Sequence, residues 1–256
     1  GLKATARVAA GQGGEFSSRA IEANVIASFD DLDWMADFLQ GVAQLSGKLE
    51  SNLKIDGTLS GPNLLGTLSL KNGKAVLPGP GLTLRELDVD IVGAGNEGLT
   101  LTGSVKSGGG RLSLEGHVRD IGSAMTGQMS FTGKRVLILN TPEAEIYASP
   151  TISADLQQRH LNLAGEVSID EANIQMASLP QTAVAVSSDQ IVVVAEDTGN
   201  DTGKDTGTRF DVTTRLRLLL NDAVSFRGFG LDATFGGDIS LVDLPGKPTT
   251  ANGDIN

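Results

Sequence analysis

One pattern governs what this chain can become: Leu-x-Leu-x-Gly-x-Val. It stands at Leu99, Leu101, Gly103 and Val105, and again at Leu112, Leu114, Gly116 and Val118. It returns at Leu161, Leu163, Gly165 and Val167, where Ile169 extends it. Looser copies are Leu53, Ile55, Gly57, Leu59 and Leu231, Ala233, Phe235, Gly237, Ile239, Leu241. A repeat of two is the β-strand period, so each copy puts its apolar residues on one face. The residues between them, such as Thr100, Thr102, Ser104 and Lys106, then Arg111, Ser113, Glu115, His117 and Arg119, face the other way and belong in water.

The links between copies are short and glycine-rich. Ser107-Gly108-Gly109-Gly110 and the Gly93 to Gly98 stretch suit hairpins between antiparallel neighbours. Parallel neighbours would need long crossovers. Roughly fifteen segments read as strands, and open sheets rarely exceed ~10 without curling or splitting. At ~4.8 Å per strand, one sheet would run roughly 70 Å. Its apolar face must fold over onto something: a sandwich, a closed barrel, or a trough folded along its long axis. A glycine on the apolar face gives a packed core nothing and weakens the strand. A column of them suggests strong curvature or space left for a guest. Bulges in an ordinary sandwich explain the same glycines, and the pattern alone leans that way.

Residues 30–46 read as one short amphipathic helix. Asp30 or Asp31 serves as N-cap, Asp33 lies in the first turn, and Gly47 ends the helix. Met35, Phe38, Leu39, Val42 and Leu45 fall at helical spacing, beside Trp34, the only tryptophan. Such an element serves as a lid over a groove or, the reading favoured here, as a cap plugging one end of the sheet. Residues 196–208, with three tandem Asp-Thr-Gly triplets, read as a flexible acidic loop.

Composition excludes several function classes. Acids outnumber bases 31 to 20, for a net charge of −11, and no basic run exists. Nucleic-acid binding and docking on anionic lipid through a polybasic patch both require clustered Lys and Arg. With no cysteine there is no disulfide and no thiolate chemistry. No run approaches the ~18 apolar residues of a membrane-spanning helix, and no signal peptide appears. Because it begins at Gly1, the chain is expected to be an excised fragment or a mature product.

No chemical motif survives scrutiny. Asp-Thr-Gly is the aspartic-protease signature, but there it sits in apolar strands and pairs across two lobes. The acidic loop lacks the spacing of a calcium repeat. Gly93-x-Gly95-x-x-Gly98 matches a dinucleotide fingerprint, which needs a helix next, yet Leu99-Thr-Leu-Thr-Gly follows. His117 and His160 are the only histidines, too few for a metal site, and read as surface residues. The chain is expected to be no enzyme and to hold no cofactor or metal.

The last hundred residues resemble the C-terminal region of the TamB family of AsmA-like proteins. The residues carrying this are the Leu161 to Ile169 repeat, Ala172-x-Ile174, Ala183 to Asp189 leading into Ile191 to Val194, and Val224-Ser-Phe226-Arg-Gly228-Phe-Gly230-Leu231-x-Ala233-x-Phe235-x-Gly237. The final Ala251-Asn-Gly253-Asp-Ile255 belongs with them. A second patch runs from Gly47-Lys-Leu49 through Gly57-Thr58-Leu59, Pro62 and Gly66-x-Leu68-x-Leu70 to Gly79-Pro-Gly81-Leu82-x-Leu84. Asp170-Glu171 departs from the pattern, where members often have Pro, and is expected to alter a strand end.

The resemblance implies an all-β fold, an elongated, curled, mostly antiparallel sheet called a β-taco, with an open apolar groove. On that reading residues 1–256 form a single segment of a longer periplasmic protein. It would be anchored in the inner membrane through a missing N-terminal part and meet an outer-membrane barrel partner through a missing C-terminal part. The groove would shield phospholipid acyl chains in passage between the membranes. Its lining would be Leu53, Ile55, Leu99, Leu101, Val105, Leu112, Leu114, Val118, Leu161, Leu163, Val167, Ile169, Leu231, Phe235 and Ile239. The rivals are a chaperone for outer-membrane barrel proteins, working by β-augmentation, and a surface adhesin or plain structural stalk with a dry interior.

Overall fold

A computed structural model describes residues 1–8, 19–122, 125–176 and 211–256. The resemblance stretches Ala183 to Asp189 and Ile191 to Val194, and the acidic loop expected at 196–208, lie outside the described residues.

Alternation takes its expected form. The strands are β1 (Leu2–Val8), β2 (Ile21–Phe29), β3 (Gln44–Thr58), β4 (Gly61–Leu77) and β5 (Leu82–Ala94). Next come β6 (Leu99–Ser107), β7 (Gly110–Arg119), β8 (Thr126–Lys134), β9 (Val136–Asn140) and β10 (Ala144–Gln157). The last are β11 (His160–Met176), β12 (Asp211–Gly228), β13 (Leu231–Asp243) and β14 (Thr250–Ile255). One helix, α1 (Asp33–Ala36), lies between β2 and β3. All fourteen strands join one curled sheet whose spatial order follows the chain, with β9 beside β10 as a side branch. The two glycine-rich links are hairpin turns as expected: Ser107 pairs Gly110, and the Ala94 N–H donates to the Gly98 carbonyl at 2.9 Å. Only β11 and β12 pair in parallel among the described strands. A parallel pair needs a long crossover; β11 ends at Met176 and β12 begins at Asp211.

The sheet bends at two belts of β-bulges. In the first, Asn72 of β4 and Glu86 of β5 are left-handed residues (φ 51° and 46°) at breaks in register. Gly47 of β3 lies opposite the same break. In the second, Asp170 is the extra residue of β11 opposite Tyr147 and Ala148 of β10, and residues 221–223 of β12 face fewer residues on either side. A bulge re-aims its strand and sharpens the local twist, so aligned bulges curl the whole sheet. This corrects the expectation for Asp170-Glu171. The pair makes a mid-strand bend, because the strand continues to Met176 and keeps its ladder through Ala172 and Ile174.

Glycine supplies conformations the curl needs. Gly66 (φ 117°) and Gly237 (φ 129°) lie where a Cβ would collide with the Asn52 and Asp254 carbonyl oxygens of the adjoining strands.

The helix is shorter than its spacing predicts. It spans Asp33–Ala36, with Leu32 as N-cap; the Asp31 carboxylate accepts the Asp33 N–H at 3.0 Å. Gly41 (φ 81°) then reverses the chain, and the Ala43 N–H donates to the Val76 carbonyl. From Gln44 the residues assigned to helix belong to β3, where Leu45 is buried against Ala75. The ladder to β4 outweighs local helical spacing, because it buries Leu45 and pairs its backbone together. Gly47 therefore sits in a bulged strand and caps nothing. Around this connection lies the most buried cluster: Leu32, Ala36, Leu45 and Ala75, flanked by Phe29, Leu49, Leu70 and Leu84. The connection covers one end of the apolar face, in keeping with the cap reading.

Gly66→Ala should lose about 1 kcal/mol or more, since the backbone is left-handed there and has no room for a Cβ. Gly109→Ala, which meets nothing within 4 Å, should change stability by under about 0.5 kcal/mol. Urea midpoints of the two variants check this; equal losses would contradict it.

Candidate functional site

Register decides which side chains share a face, because directly paired residues point the same way. One row runs Leu53, Gly66, Gly93, Leu99, Val118, Gly127, Leu156, Leu161, Val212. The next runs Ser51, Leu68, Ile91, Leu101, Gly116, Met129, Ala154, Leu163, Thr214. A third runs Gly103, Leu114, Phe131, Ile152, Gly165, Leu216, Leu241. From Leu53 to Leu163 no charged residue enters the first two rows.

All fifteen lining residues expected from the sequence fall on this one face. Ile55 pairs Ala23 and Leu64, and Val105 pairs Leu112. Val167 pairs Leu218, which pairs Ile239; Ile169 pairs Ala148 and Leu220; Phe235 pairs Val224. Fourteen are half-buried. Leu231, at the end of β13 beside Gly228, is 52% exposed. Half-burial is the state of side chains on a curled single layer. Among the described residues, the lowest exposures belong to Leu32 of the end cap and to small residues such as Ala148 and Ala154, while Leu45, Val136 and Val224 are also buried.

The sequence reading missed part of the face. Leu68, Leu70, Val89, Ile91, Met129, Phe131, Leu216 and Leu218 line it equally. Period-two alternation marks each of these pairs, although none carries the full repeat.

Two glycines of the face are covered by neighbouring side chains. A Cβ at Gly116 would come within 2.8 Å of Met129 Cγ, and one at Gly133 within 2.8 Å of Val136 Cγ2 and 3.1 Å of Leu112 Cδ1. Large side chains thus lean over these two positions, and the curvature reading of the glycines holds better than open space there. Small polar residues, among them Ser51, Ser107 and Thr214, interrupt the face, and Asp243 pairs Thr214 at its β13 end. Ser51 has a buried hydroxyl without a partner among the described residues. Ser107 donates to the Leu137 carbonyl at 2.6 Å.

Charge is gathered on the opposite face, most densely at the bulges. Glu86 accepts from Lys106 at 2.6 Å and Arg111 at 2.8 Å. Asp90 accepts from Lys71 at 2.6 Å and Ser69 at 2.9 Å. At the second belt Arg135 meets Glu171 at 2.6 Å, and Ser149 donates to Asp170 at 2.5 Å. Backbone donors at the register breaks are answered here too: the Asn72 N–H reaches Asp88 and the Arg135 N–H reaches Ser149, both at 2.9 Å. The hydrogen bond from Lys106 holds the Glu86 carboxyl below its ordinary pKa, with Arg111 adding to the shift. Lys71 does the same for Asp90, helped by Ser69.

The two histidines share a depression of about 630 Å³ on the polar side, with Arg119, Gln128, Asp155 and Gln158. Arg119 donates to His117 Nε2 at 2.7 Å, and His160 Nδ1 lies 3.5 Å from Asp211. No group of three or more acidic, His or Cys residues is placed to hold a metal among the described residues.

A family model described as the TamB C-terminal domain matches residues 97–256. The translocation and assembly module subunit TamB of Haemophilus influenzae is 24% identical over 204 residues, covering 77% of this chain and 16% of that relative. The chain thus spans a small part of that relative's length. No solved structure matches the chain.

A depressed carboxylate pKa stabilises the fold above the ordinary carboxylate range and stops doing so as pH falls through the folded value. The urea midpoint gap between the wild type and Glu86→Gln should therefore be greatest above about pH 5 and close as pH drops below ~4. The gap should be small, because the site is exposed. A gap unchanged across that range would contradict the ion-pair account of the bulge.

Proposed function

Because the chain belongs to the TamB family through that family's C-terminal domain, we propose that it is a lipid-carrying segment of the bacterial envelope. Its apolar face would shield phospholipid acyl chains on their way between inner and outer membranes. One observation carries the reading: apolar rows cross β3 to β11 without a charge, while ion pairs hold the other side.

The energetics favour such a surface. At ~0.8 kcal/mol per CH₂, an acyl chain of about 15 carbons costs roughly 12 kcal/mol in water. A passive carrier has to match the bilayer along its whole length, since any charge on the path forms a barrier. Half-buried Leu, Val, Ile and Phe side chains match it, and the headgroup stays in water at the open side. The segment on this reading is no enzyme; direction and energy come from elsewhere. It works in the periplasm as part of a protein anchored in the inner membrane and meeting an outer-membrane barrel partner.

The coarser reading is a part in a translocation and assembly module, as the relative's name describes. That name also favours the chaperone alternative, in which a strand edge templates an incoming strand. The two readings part on which atoms matter. Asn256 and Gly236 exchange both backbone hydrogen bonds, at 3.0 and 2.9 Å. By alternation the Ala251 N–H of β14 points away from β13, so Ala251→Pro blocks that edge and spares the ladder.

Leu163→Asp or Phe235→Asp, placed in the full-length protein, should stop phospholipid transport between the membranes by about tenfold or more while the sheet still folds, as far-ultraviolet circular dichroism would register. Ala251→Pro should leave transport intact. Normal transport by a folded Leu163→Asp variant, or failure of barrel-protein assembly in Ala251→Pro alone, would overturn the carrier reading.

A further inference from the structure

The connection between β2 and β3 does more than cover the end of the sheet. Its inner side is fixed: Leu32 is 1% exposed and Ala36 7%. Its outer side displays Trp34 at 50% exposure, Phe38 at 79% and Leu39 at 42%. The aromatic rings form a continuous patch. Trp34 lies 5.6 Å from Phe29 and 6.3 Å from Phe38, centroid to centroid, in tilted and edge-on arrangements. Three large apolar side chains held outward on a turn anchored by the most buried cluster of the chain form a preorganised surface, which lowers the ordering cost of binding.

Charge around the patch selects its occupant. Asp30, Asp31, Asp33 and Asp37 surround the aromatic residues in sequence. Lys48 is bound to Glu50 at 2.7 Å, and Asp30 also acts on its charge. No ion pair reaches Asp31, Asp33 or Asp37 among the described residues. An anionic bilayer would be repelled by these exposed acids, and a second copy of a chain of net charge −11 would be too. Positive charge flanking an apolar insert complements it.

We propose that this connection is a docking site for a basic, amphipathic segment of a partner protein. The partner's apolar side chains cover Trp34, Phe38 and Leu39, and its Lys or Arg side chains meet Asp31, Asp33 and Asp37. The site is separate from the acyl-chain face and does not depend on that reading.

Trp34 is the only tryptophan, so its fluorescence reports on this patch alone. A Lys/Leu amphipathic peptide should shift its emission to the blue, and a Glu/Leu peptide of the same apolar pattern should not. Phe38→Ser, at a highly exposed position, should abolish the response with the circular dichroism spectrum unchanged. Asp31→Asn, Asp33→Asn and Asp37→Asn together should weaken it about tenfold. Equal shifts with both peptides, a shift with phosphatidylcholine vesicles in place of the peptide, or no shift at all would overturn the proposal.

Discussion

Cross-strand pairing of one apolar face is the constraint from which the rest of this structure follows. Along the main path from β2 to β13, each strand gives apolar residues to rows shared with both neighbours. A slip of one residue in any strand would turn its Leu and Val side chains to water. A sheet so wide and so one-sided has to curl, and the curl is placed by bulges aligned across strands. The polar face then serves the apolar one. Its carboxylates and hydroxyls take up backbone donors at the register breaks, as Asp88 does for Asn72 and Ser149 does for Arg135. Exposed ion pairs of this kind add little stability singly. Their contribution is to hold the bends, and so the rows, in register.

Much of this was legible in the sequence because strand period and hairpin chemistry are local signals. The fifteen residues chosen from the Leu-x-Leu-x-Gly-x-Val repeats all share the face, since parity within a strand needs no tertiary information. The second bulge also left a trace: apolar positions step by two to Ile169, then by three to Ala172, and by two again to Ile174. That phase jump marks Asp170 as an extra residue inside a strand. The parallel pairing of β11 and β12 left no comparable mark.

The helix is shorter than its spacing predicts, for an instructive reason. Met35, Phe38, Leu39, Val42 and Leu45 are spaced for one helical face, yet Leu45 is buried in a strand while Phe38 is among the most exposed apolar residues. Periodicity reports where apolar residues recur and not what they bury against. Here β4 offered Gln44 and Leu45 a ladder, and Gly41 let the chain turn into it. The residues left outside form the aromatic patch, which helical spacing would have hidden in a core. The chain matches only 16% of the aligned relative's length.

The measurement that tests the central claim most directly is photo-crosslinking in cells, in the full-length protein. A photoreactive side chain replaces Leu163 on the apolar rows or, as a control, its neighbour Asn162, which pairs Asp155 and Thr213 on the polar side. The carrier account predicts crosslinks to phospholipid at Leu163 and none at Asn162. Crosslinks to nascent outer-membrane protein at Leu163, or phospholipid at neither position, would contradict it.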